Sequence, residues 1–437
     1  MPARKGITRR DFLKGVAAVS VTVPRVIAPS ALAASGRPAP SDRVVMGCIG
    51  VGGMGTGNMR AFLANSDVQV VAVSDVDEKR RQAAGRGLEH HYAEQLQKGT
   101  YKGCTLHSDF RELLARDDID AVSVATPDHW HCLVGIAAAQ AGKDMYIEKP
   151  LSLTIAEGRA LCDAVNRYGR VFQHGTQQRS DRNFRFACEL ALNGRIGKVH
   201  TIKVGSPASG EAGLEPPMPV PEAFDYDMWL GPAPWAPYTE KRCRTPFWYF
   251  ISDYTIGFVS GWGVHHVDIA QWGNGSDSTT PIEIEGQGVF PKDGLCDTAT
   301  AWHVECKYAN GVRMIYTDNA KNKQGVRFEG TEGWVWVKRG EINAQPKSLL
   351  TSVIGPDEVH LYESASHHRN FLDCVKTRKQ TIAPVEAAHH STAICHLSQI
   401  AMLTGRKLQW DPERERFVND PEANRYISRA MRSPWHL

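Results

Sequence analysis

The stretch RVVMGCIGVGGMGTGNMRAFLANSDVQVVAVSD, residues 43–75, decides the fold of this chain. It starts with a short apolar run typical of a β-strand and continues with Gly50, Gly52 and Gly55 in the spacing G-x-G-x-x-G. A second apolar run then ends at Asp75. The glycine motif alone is weak in a chain with 39 glycines. Here it follows a strand, opens a helix and precedes an acidic residue by 20 positions, which indicates a dinucleotide-binding βαβ unit.

The glycine-rich turn predicts how a dinucleotide would bind. The N-terminus of the following helix would face the pyrophosphate, and the Asp75 carboxylate would accept hydrogen bonds from ribose hydroxyls. A carboxylate there favours NAD over NADP, because it repels a 2′-phosphate. Lys79 and Arg80 follow closely and leave NADP as the less favoured alternative. The predicted cofactor contacts of this unit are Gly50, Gly52, Gly53, Met54, Gly55 and Asp75.

Apolar and helical segments continue to alternate up to about residue 176. Repeated βα units predict a parallel, doubly wound Rossmann sheet, and ligands of such sheets bind beyond the carboxyl ends of the strands. Two short runs fall at strand ends, TPDH at 126–129 and EKP at 148–150. Further cofactor contacts are therefore expected from Thr126, Pro127, His129, Glu148 and Lys149.

The pattern changes after about residue 177. Residues 205–248 are rich in proline and tryptophan, and four alternating segments between 281 and 339 predict an antiparallel sheet. The sequence thus predicts an α/β fold in two domains, of which the second is an α+β domain with a mainly antiparallel open sheet. The predicted boundaries are 1–33 for an export signal, 42–176 for the Rossmann domain, 177–404 for the α+β domain and 405–437 for a C-terminal arm.

The first 33 residues have the composition of an export signal. A basic start precedes a modest apolar run, and Arg9-Arg10 with the DFLK that follows resembles a twin-arginine signal. The run is shorter than the roughly 20 residues of a membrane-spanning helix. These 33 residues hold six basic side chains and one acidic one, so their removal changes the net charge from +3 to −2 and leaves no footprint for nucleic acid. We expect the twin-arginine machinery to export the folded protein to the periplasm.

Five segments occur in a specific order along the chain: GVGGMG at 50–55, ATPDHWH at 125–131, EKP at 148–150, HGTQQRS at 174–180 and GWGVHHVDIAQW at 261–272. This series resembles the glucose–fructose oxidoreductase, inositol dehydrogenase and rhizopine-catabolism family (Gfo/Idh/MocA), and most of all its exported bacterial branch. The resemblance runs from about Arg43 to the C-terminus. It implies an NAD(P)-dependent oxidoreductase, homo-oligomeric, that transfers hydride between nicotinamide and a sugar, polyol or related carbohydrate.

The resemblance implies that Lys149 lies near the nicotinamide and the substrate hydroxyl, with a cis peptide before Pro150. An ammonium there would stabilise the alkoxide-like charge that develops as hydride leaves a carbinol carbon, and in a desolvated site it can relay a proton. The family motif D-x-x-x-H-x-x-D, counted back from Asp268, makes His265 the catalytic histidine. It also places Gly261 where the family usually has an aspartate.

Because the aspartate is missing, the sequence does not identify which group takes the proton from the substrate. Asp253 and Tyr254 are the candidate catalytic replacements, and Ser260 supplies a hydrogen bond but no charge. A metal site at His265-His266 is disfavoured, since adjacent residues on one helix diverge by about 100°; a purely structural role for His265 is the alternative. The predicted substrate contacts are Gln177, Arg179, Trp262, His265 and His266, while Trp229, Trp235, Trp248 and Tyr249 either stack on a sugar or pack within the domain.

Three functions fit this pattern. The first is a carbohydrate dehydrogenase, the second is a redox-neutral lyase, epimerase or glycosidase that oxidises its substrate transiently, and the third is a non-catalytic sugar-binding protein. The absent aspartate favours the last two, whereas the glycine motif and EKP disfavour the third. Export in the folded state to a compartment without free NAD further predicts a tightly bound cofactor, covered in part by residues 35–42.

Overall fold

Six parallel strands form the first sheet of the computed structural model, which describes residues 42–437. Their order is β3-β2-β1-β4-β5-β6, so the winding reverses between β1 and β4 and opens a ligand crevice there. The predicted Rossmann sheet is confirmed, whereas the predicted export signal lies outside the described residues. The strands are β1 (Val44–Ile49), β2 (Val68–Ser74), β3 (Thr105–His107), β4 (Ala121–Val124), β5 (Asp144–Ile147) and β6 (Phe172–His174).

Helices on both faces connect these strands. Asp77 caps the N-terminus of the helix that follows β2. Its side chain accepts hydrogen bonds from the backbone N–H groups of Lys79 and Arg80 and so satisfies two donors of the first turn. The sequence after Asp75 predicts one helix over about 77–97, and the structure divides it in two at Tyr92. The helices are α1 (Gly53–Leu63), α2 (Glu78–His91), α3 (Ala93–Gln97), α4 (Phe110–Leu114), α5 (Asp128–Gln140) and α6 (Ile155–Arg167).

Nine strands form the second sheet, in the order β13-β12-β11-β7-β10-β9-β8-β14-β15. All neighbours are antiparallel except β7 and β10, which are parallel. The predicted mainly antiparallel open sheet is therefore confirmed. The strands are β7 (Val199–Ser206), β8 (Glu283–Val289), β9 (Ala301–Lys307), β10 (Arg313–Asp318), β11 (Gly325–Gly330), β12 (Trp334–Lys338), β13 (Glu341–Gln345), β14 (Leu408–Asp411) and β15 (Arg416–Phe417).

A long buried helix, α13, joins the cores of the two sheets. It contacts α6 beside the first sheet, and both α11 and β8 in the second. Its residues are small or apolar on most sides and nearly all buried, as expected of a helix inside a core. The helices of this part are α7 (Arg182–Leu192), α8 (Tyr226–Leu230), α9 (Glu240–Cys243), α10 (Phe258–Gly261), α11 (Gly263–Gly273), α12 (His367–Thr377) and α13 (Val385–Thr404).

The chain between β7 and β8 returns to the first sheet and crosses the carboxyl end of β2. There the Glu78 N–H donates to the Ala223 carbonyl at 2.9 Å, and the Asp225 N–H donates to the Val76 carbonyl at 3.0 Å. This crossing segment, residues 223–231, thus forms a wall over the ligand crevice.

The C-terminal arm fastens the crossing segment from outside. Arg432 donates to the Asp227 carboxylate and, through Nε, to the Gly231 carbonyl at 2.9 Å. The indole of Trp435 packs edge-on against that of Trp130, with ring centroids 4.7 Å apart. Within residues 42–437, no helix has the length and apolar character needed to cross a membrane.

Candidate active site

The glycine-rich turn connects β1 to α1 at the carboxyl edge of the first sheet. Gly50 has a φ of +79°, and a Cβ on it would lie 2.6 Å from the Ala125 carbonyl oxygen. A Cβ on Gly55 would lie 1.9 Å from the Gly50 carbonyl oxygen, so strand and helix approach this closely only because the residue is glycine. A Cβ on Gly53 would meet nothing within 4 Å. The first turn of α1 is therefore open to an anionic ligand such as a pyrophosphate.

Asp75 is fixed at the end of β2 by backbone donors. Its Oδ2 accepts from the Val51 N–H at 2.8 Å and its Oδ1 from the Asp77 N–H at 2.9 Å. Burial raises the pKa of Asp75, and these two N–H groups act in the opposite direction. Each carboxylate oxygen keeps a further lone pair for a ribose hydroxyl. Arg80 lines the same part of the cleft.

One continuous cleft contains most of the predicted cofactor contacts. It runs from the glycine-rich turn past the ends of β2 and β4 to the end of β5, and the crossing segment supplies part of its opposite wall. The predicted residues that line it are Gly50, Gly52, Gly53, Met54, Asp75, Thr126, Pro127, Glu148, Lys149, Trp229, Trp248 and Tyr249. These residues fit a nicotinamide dinucleotide, since they combine a phosphate-binding turn, a ribose acceptor and a charged far end.

Lys149 follows β5, at the far end of the cleft. Its Nζ donates to the backbone carbonyl of Gly261 at 2.7 Å and lies 5.8 Å from the centre of the Tyr249 ring. The Lys149–Pro150 peptide is cis, as the family resemblance implies. At the position where the family usually has an aspartate side chain, the lysine therefore contacts a main-chain oxygen.

Glu148 beside the lysine is held by neutral donors. Its Oε1 accepts from the Asn58 amide at 3.0 Å and from the Gln177 amide at 3.2 Å, and its Oε2 accepts from the Lys149 N–H at 3.3 Å. Burial raises the pKa of Glu148, while the Lys149 charge lowers it. Gln177, predicted to bind substrate, also donates to the Tyr146 hydroxyl at 3.0 Å. The structure thus gives Gln177 the task of orienting Glu148.

Asp128 is the cleft residue that sequence reasoning missed. It is the first residue of α5, is 1% exposed and lines the cleft together with Lys149. Its Oδ2 has no hydrogen-bond partner. Burial raises the pKa of Asp128 to about 7, although a hydrogen bond from the Thr255 side chain and the Lys149 charge lower it. The signal was present in TPDH, where an acidic residue opens the helix that follows a buried strand.

The two adjacent histidines of α11 have different surroundings. The imidazole of His266 donates from Nδ1 to the Gly205 carbonyl of β7 at 2.8 Å. His265 packs edge-on against Trp262, with ring centroids 5.8 Å apart. Burial lowers the pKa of His265 well below its usual range, and the Lys149 charge adds to this effect. Among residues 42–437, no group of three or more His, Cys, Asp or Glu side chains is placed to hold a metal ion.

Asp253 and Tyr254, the candidate replacements for the missing aspartate, are not among the residues that line the cleft with Lys149. Asp253 lines a separate cavity with Arg429. The Tyr254 hydroxyl accepts from the Arg242 guanidinium at 3.1 Å. His129, predicted to contact the cofactor, also lines that second cavity, and its Nε2 contacts the Trp229 carbonyl at 3.0 Å. The structure thus gives Asp253, Tyr254 and His129 contacts other than those predicted for them.

Arg179 is likewise removed from the substrate contacts. The side chain is 1% exposed and is paired with the carboxylates of Asp268 and Asp277, each at 2.7 Å. The aspartate of the H-x-x-D pattern, Asp268, is thus held in an ion pair with Arg179. Trp235 is 70% exposed and does not line the cleft.

Trp262, predicted to contact the substrate, is like His265 not among the residues that line the cleft, and it lies beneath a cation that the sequence analysis did not single out. The Arg339 guanidinium, on the turn between β12 and β13, lies 5.0 Å from the centre of the Trp262 ring. The charge of Arg339 also lowers the pKa of His265. The second domain therefore brings Trp262, His265 and Arg339 together.

Two sequence profiles cover most of the chain. Residues 44–176 match the NAD-binding Rossmann fold of an oxidoreductase family, and residues 192–437 match the C-terminal alpha/beta domain of the same family. The chain therefore belongs to the Gfo/Idh/MocA oxidoreductase family. It is an enzyme of the oxidoreductase type, with an NAD-binding domain.

Known relatives share parts of the sequence. The uncharacterized oxidoreductase YrbE of Bacillus subtilis is 25% identical over 302 residues, which are 67% of this chain and 73% of that protein. An alpha-N-acetylgalactosaminidase of Shewanella oneidensis is 34% identical over 176 residues, which are 37% of each protein. The similarity to this glycosidase thus spans little more than a third of its length.

Solved structures show the same fold at low identity. The WlbA dehydrogenase of Bordetella pertussis, in complex with NADH and UDP-GlcNAcA, superimposes with a TM-score of 0.62 at 16% identity, over 84% of this chain and 99% of that one.

Proposed function

We propose that the protein is an NAD-dependent oxidoreductase that oxidises a carbinol carbon of a sugar, polyol or related carbohydrate. The observation that carries the proposal is the single cleft that runs from the glycine-rich turn and Asp75 to Lys149 and an aromatic wall. One end suits a dinucleotide. The other offers aromatic faces and a few polar groups, as small-molecule sites commonly do. The carbohydrate bound in the WlbA structure supports the substrate class.

The side chains at the far end have separable tasks. The nicotinamide, when bound, supplies the hydride acceptor. The Lys149 ammonium, oriented by the Gly261 carbonyl, stabilises negative charge on the reacting oxygen. Burial and the charges of Lys149 and Arg339 lower the pKa of His265, so this imidazole passes a proton on between the substrate and the interior and does not retain it.

NAD is the proposed cofactor in preference to NADP. The Asp75 carboxylate is held in place by two backbone N–H groups, and it would repel a 2′-phosphate. Arg80 is the opposing influence, because its guanidinium lines the same end of the cleft and would attract that phosphate.

We further propose that the cofactor is retained through many turnovers. The crossing segment is hydrogen-bonded to the end of β2, and Met228 and Trp229 of this segment line the cleft. Retention also fits an exported protein, which the RRDFLK run at 9–14 supports, since a periplasmic enzyme meets no supply of free NAD. Residues 35–41, expected to help cover the cofactor, lie outside the described residues.

Retention is tested on the protein purified from the periplasm. We expect about one nucleotide per chain in the supernatant after denaturation. Arg432→Ala removes the hydrogen bonds to Gly231 and Asp227. The first is worth about 1.5 kcal/mol with a charged donor, and the second adds little because Asp227 is 81% exposed, so nucleotide release should speed up roughly tenfold. Lys407→Ala, which removes a distant surface ion pair with Glu283, is the matched control. A protein isolated empty and active only with added NAD contradicts retention.

A redox-neutral reaction is the second candidate function. It is favoured by the 34% identity with a region of the Shewanella alpha-N-acetylgalactosaminidase and by the proposed retention of cofactor. Transient oxidation to a ketone makes the neighbouring C–H acidic, allows elimination, and then returns the hydride. A lyase or epimerase would use the same steps.

One experiment separates these candidates. The purified protein is incubated with a panel of sugars, polyols and glycosides, and both NADH absorbance and non-redox products are followed. NADH accumulation supports a dehydrogenase, and cleaved or epimerised products without NADH support the redox-neutral reaction. Carbohydrate binding without any product supports a non-catalytic sugar-binding protein.

We propose a homo-oligomer in solution, which light scattering measures directly.

A further inference from the structure

The proposed oxidation requires a proton acceptor, and position 261 has no side chain to provide one. The Gly261 carbonyl that contacts Lys149 accepts hydrogen bonds but does not take up a proton at neutral pH. His265 is a weak acceptor there, because burial and the Lys149 charge lower its pKa well below the usual range. The groups anticipated from the sequence therefore leave this task unassigned.

Two carboxyl groups lie at the lysine end of the cleft, and they differ in how their oxygens are used. Both oxygens of Glu148 accept hydrogen bonds, from Asn58, Gln177 and the Lys149 backbone. Asp128 instead is 1% exposed and keeps an Oδ2 without a partner. A buried polar atom without a partner is costly and calls for an explanation.

We propose that the Asp128 carboxyl, which shares the cleft wall with Lys149, is the proton-transfer group that replaces the aspartate absent at position 261. This inference rests on the proposed function. Oxidation of a carbinol breaks one C–H and one O–H bond. Oxidised NAD, when bound, would accept the hydride with the C–H electron pair, the O–H pair would become the second bond of the carbonyl, and the hydroxyl proton would pass to the Asp128 carboxylate. In a redox-neutral cycle, the reverse transfer to the ketone altered by elimination or epimerisation would form the product.

The electrostatic surroundings suit this task. The charged and titratable groups that face Asp128 among the described residues are Lys149 after β5 and Tyr249 in the 3₁₀ helix Phe247–Phe250, with the Thr255 side chain as hydrogen-bond donor. Burial raises the pKa of Asp128 to about 7 against the effects of Thr255 and Lys149. A carboxyl that titrates near the working pH both accepts and returns a proton efficiently.

The test uses cofactor affinity, so it needs no known substrate. The oxidised nicotinamide ring is cationic and the reduced ring is neutral, so an ionised Asp128 favours NAD⁺ over NADH. We expect the ratio of the dissociation constants, NADH over NAD⁺, to rise about tenfold between pH 5.5 and 8.5, which corresponds to one pKa unit of coupling. Stripped, refolded protein is titrated with each nucleotide by calorimetry. Asp128→Asn, which keeps the shape and the Thr255 contact, should abolish the rise.

Glu157→Gln is the matched control. Glu157 is a buried carboxyl whose pKa burial also raises to about 7, but it lines the second cavity and not the cleft. This variant should keep the wild-type pH dependence. Circular dichroism confirms that each variant is folded.

A rescue variant addresses the missing aspartate itself. A Cβ on Gly261 would lie 3.5 Å from Phe258 and 3.8 Å from Tyr249, which are ordinary contacts. Gly261→Asp in the Asp128→Asn background should therefore fold and regain the preference for NAD⁺ at pH 8.5. With any carbohydrate that reduces the cofactor, Asp128→Asn should slow reduction roughly 10²-fold and remove the ionisation near pH 7 from the rate profile.

The outcomes separate the two levels of inference. A protein that binds neither nucleotide contradicts the proposed function as a whole. Normal binding with a pH dependence that Asp128→Asn leaves intact overturns the role of Asp128 alone. Loss of the pH dependence in Glu157→Gln overturns it as well, because the titrating group then lies outside the cleft.

Discussion

Replacement of Arg179 by alanine tests whether this residue holds the fold together or binds substrate. Its guanidinium donates to both oxygens of Asp268, at 2.7 and 2.8 Å, and to both oxygens of Asp277, at 2.7 and 2.8 Å. The Arg179 and Asp268 side chains are each 1% exposed, so the variant leaves a buried carboxylate without its partner. Such a loss costs about 3–5 kcal/mol. Asp277 is 38% exposed, and its share is small because water solvates it.

The expected fall in the free energy of unfolding is therefore about 3–5 kcal/mol. Urea denaturation followed by tryptophan fluorescence measures it, and Trp272 is a local reporter, since its ring centre lies 5.2 Å from the Arg179 guanidinium. Arg111→Ala is the control. Arg111 is 57% exposed in its pair with Asp109, and surface pairs are worth about 0–1 kcal/mol.

The pH dependence of the loss has a definite sign. Burial raises the pKa of Asp268, and the Arg179 charge opposes this. Without Arg179 the pKa of Asp268 rises further, so the folded variant gains stability as the pH falls and the carboxyl becomes neutral. The difference from the wild type should be smaller at pH 5 than at pH 8. A variant as stable as the wild type, but with weaker carbohydrate binding, would show that Arg179 contacts the substrate and that its structural role is wrong.

Three further substitutions test the cofactor and catalytic assignments. Asp75→Ala should narrow the preference for NAD over NADP in calorimetry, because the charge that repels the 2′-phosphate is gone; a wild-type protein that binds NADP more tightly would refute the assignment. His265→Ala should reduce turnover roughly 10²-fold, whereas His266→Ala should mainly lower the unfolding temperature, and the opposite pattern would mean that the register is wrong. Gly55→Ala places a Cβ 1.9 Å from the Gly50 carbonyl and should abolish nucleotide binding, while unchanged affinity would contradict the described turn.

The first sheet was readable from the sequence because its signals are local. Each buried strand is an apolar run, each helix begins at a turn signal, and the glycine spacing is set by close contact between neighbouring segments. The exception is β3, a three-residue edge strand whose first two residues are exposed, so no apolar run marks it. The helix predicted over 77–97 was too long for a similar reason, since the break at Tyr92 carries neither glycine nor proline.

Site residues could be predicted from the sequence only where their role depends on a single segment of the chain. Lys149 and Asp75 follow from strand ends within their own βα units. The environment of Asp128 is set in part by Thr255, a hydrogen-bond donor more than a hundred positions later in the chain. The local sequence does not reveal this contact. Arg179 looked like a substrate contact because its two carboxylate partners come from distant segments. Sequence spacing does not report which of two distant charges a buried cation meets.

The main-chain anchor of Lys149 has a consequence for the conditions under which this enzyme can work. An aspartate at position 261 would release the lysine on protonation, so the alignment of the ammonium would depend on acidity. The Gly261 carbonyl that accepts from Nζ at 2.7 Å has no ionisation in the biological range. The direction of the lysine is thereby set by the path of the polypeptide between α10 and α11, so the anchor persists unchanged in mildly acidic surroundings.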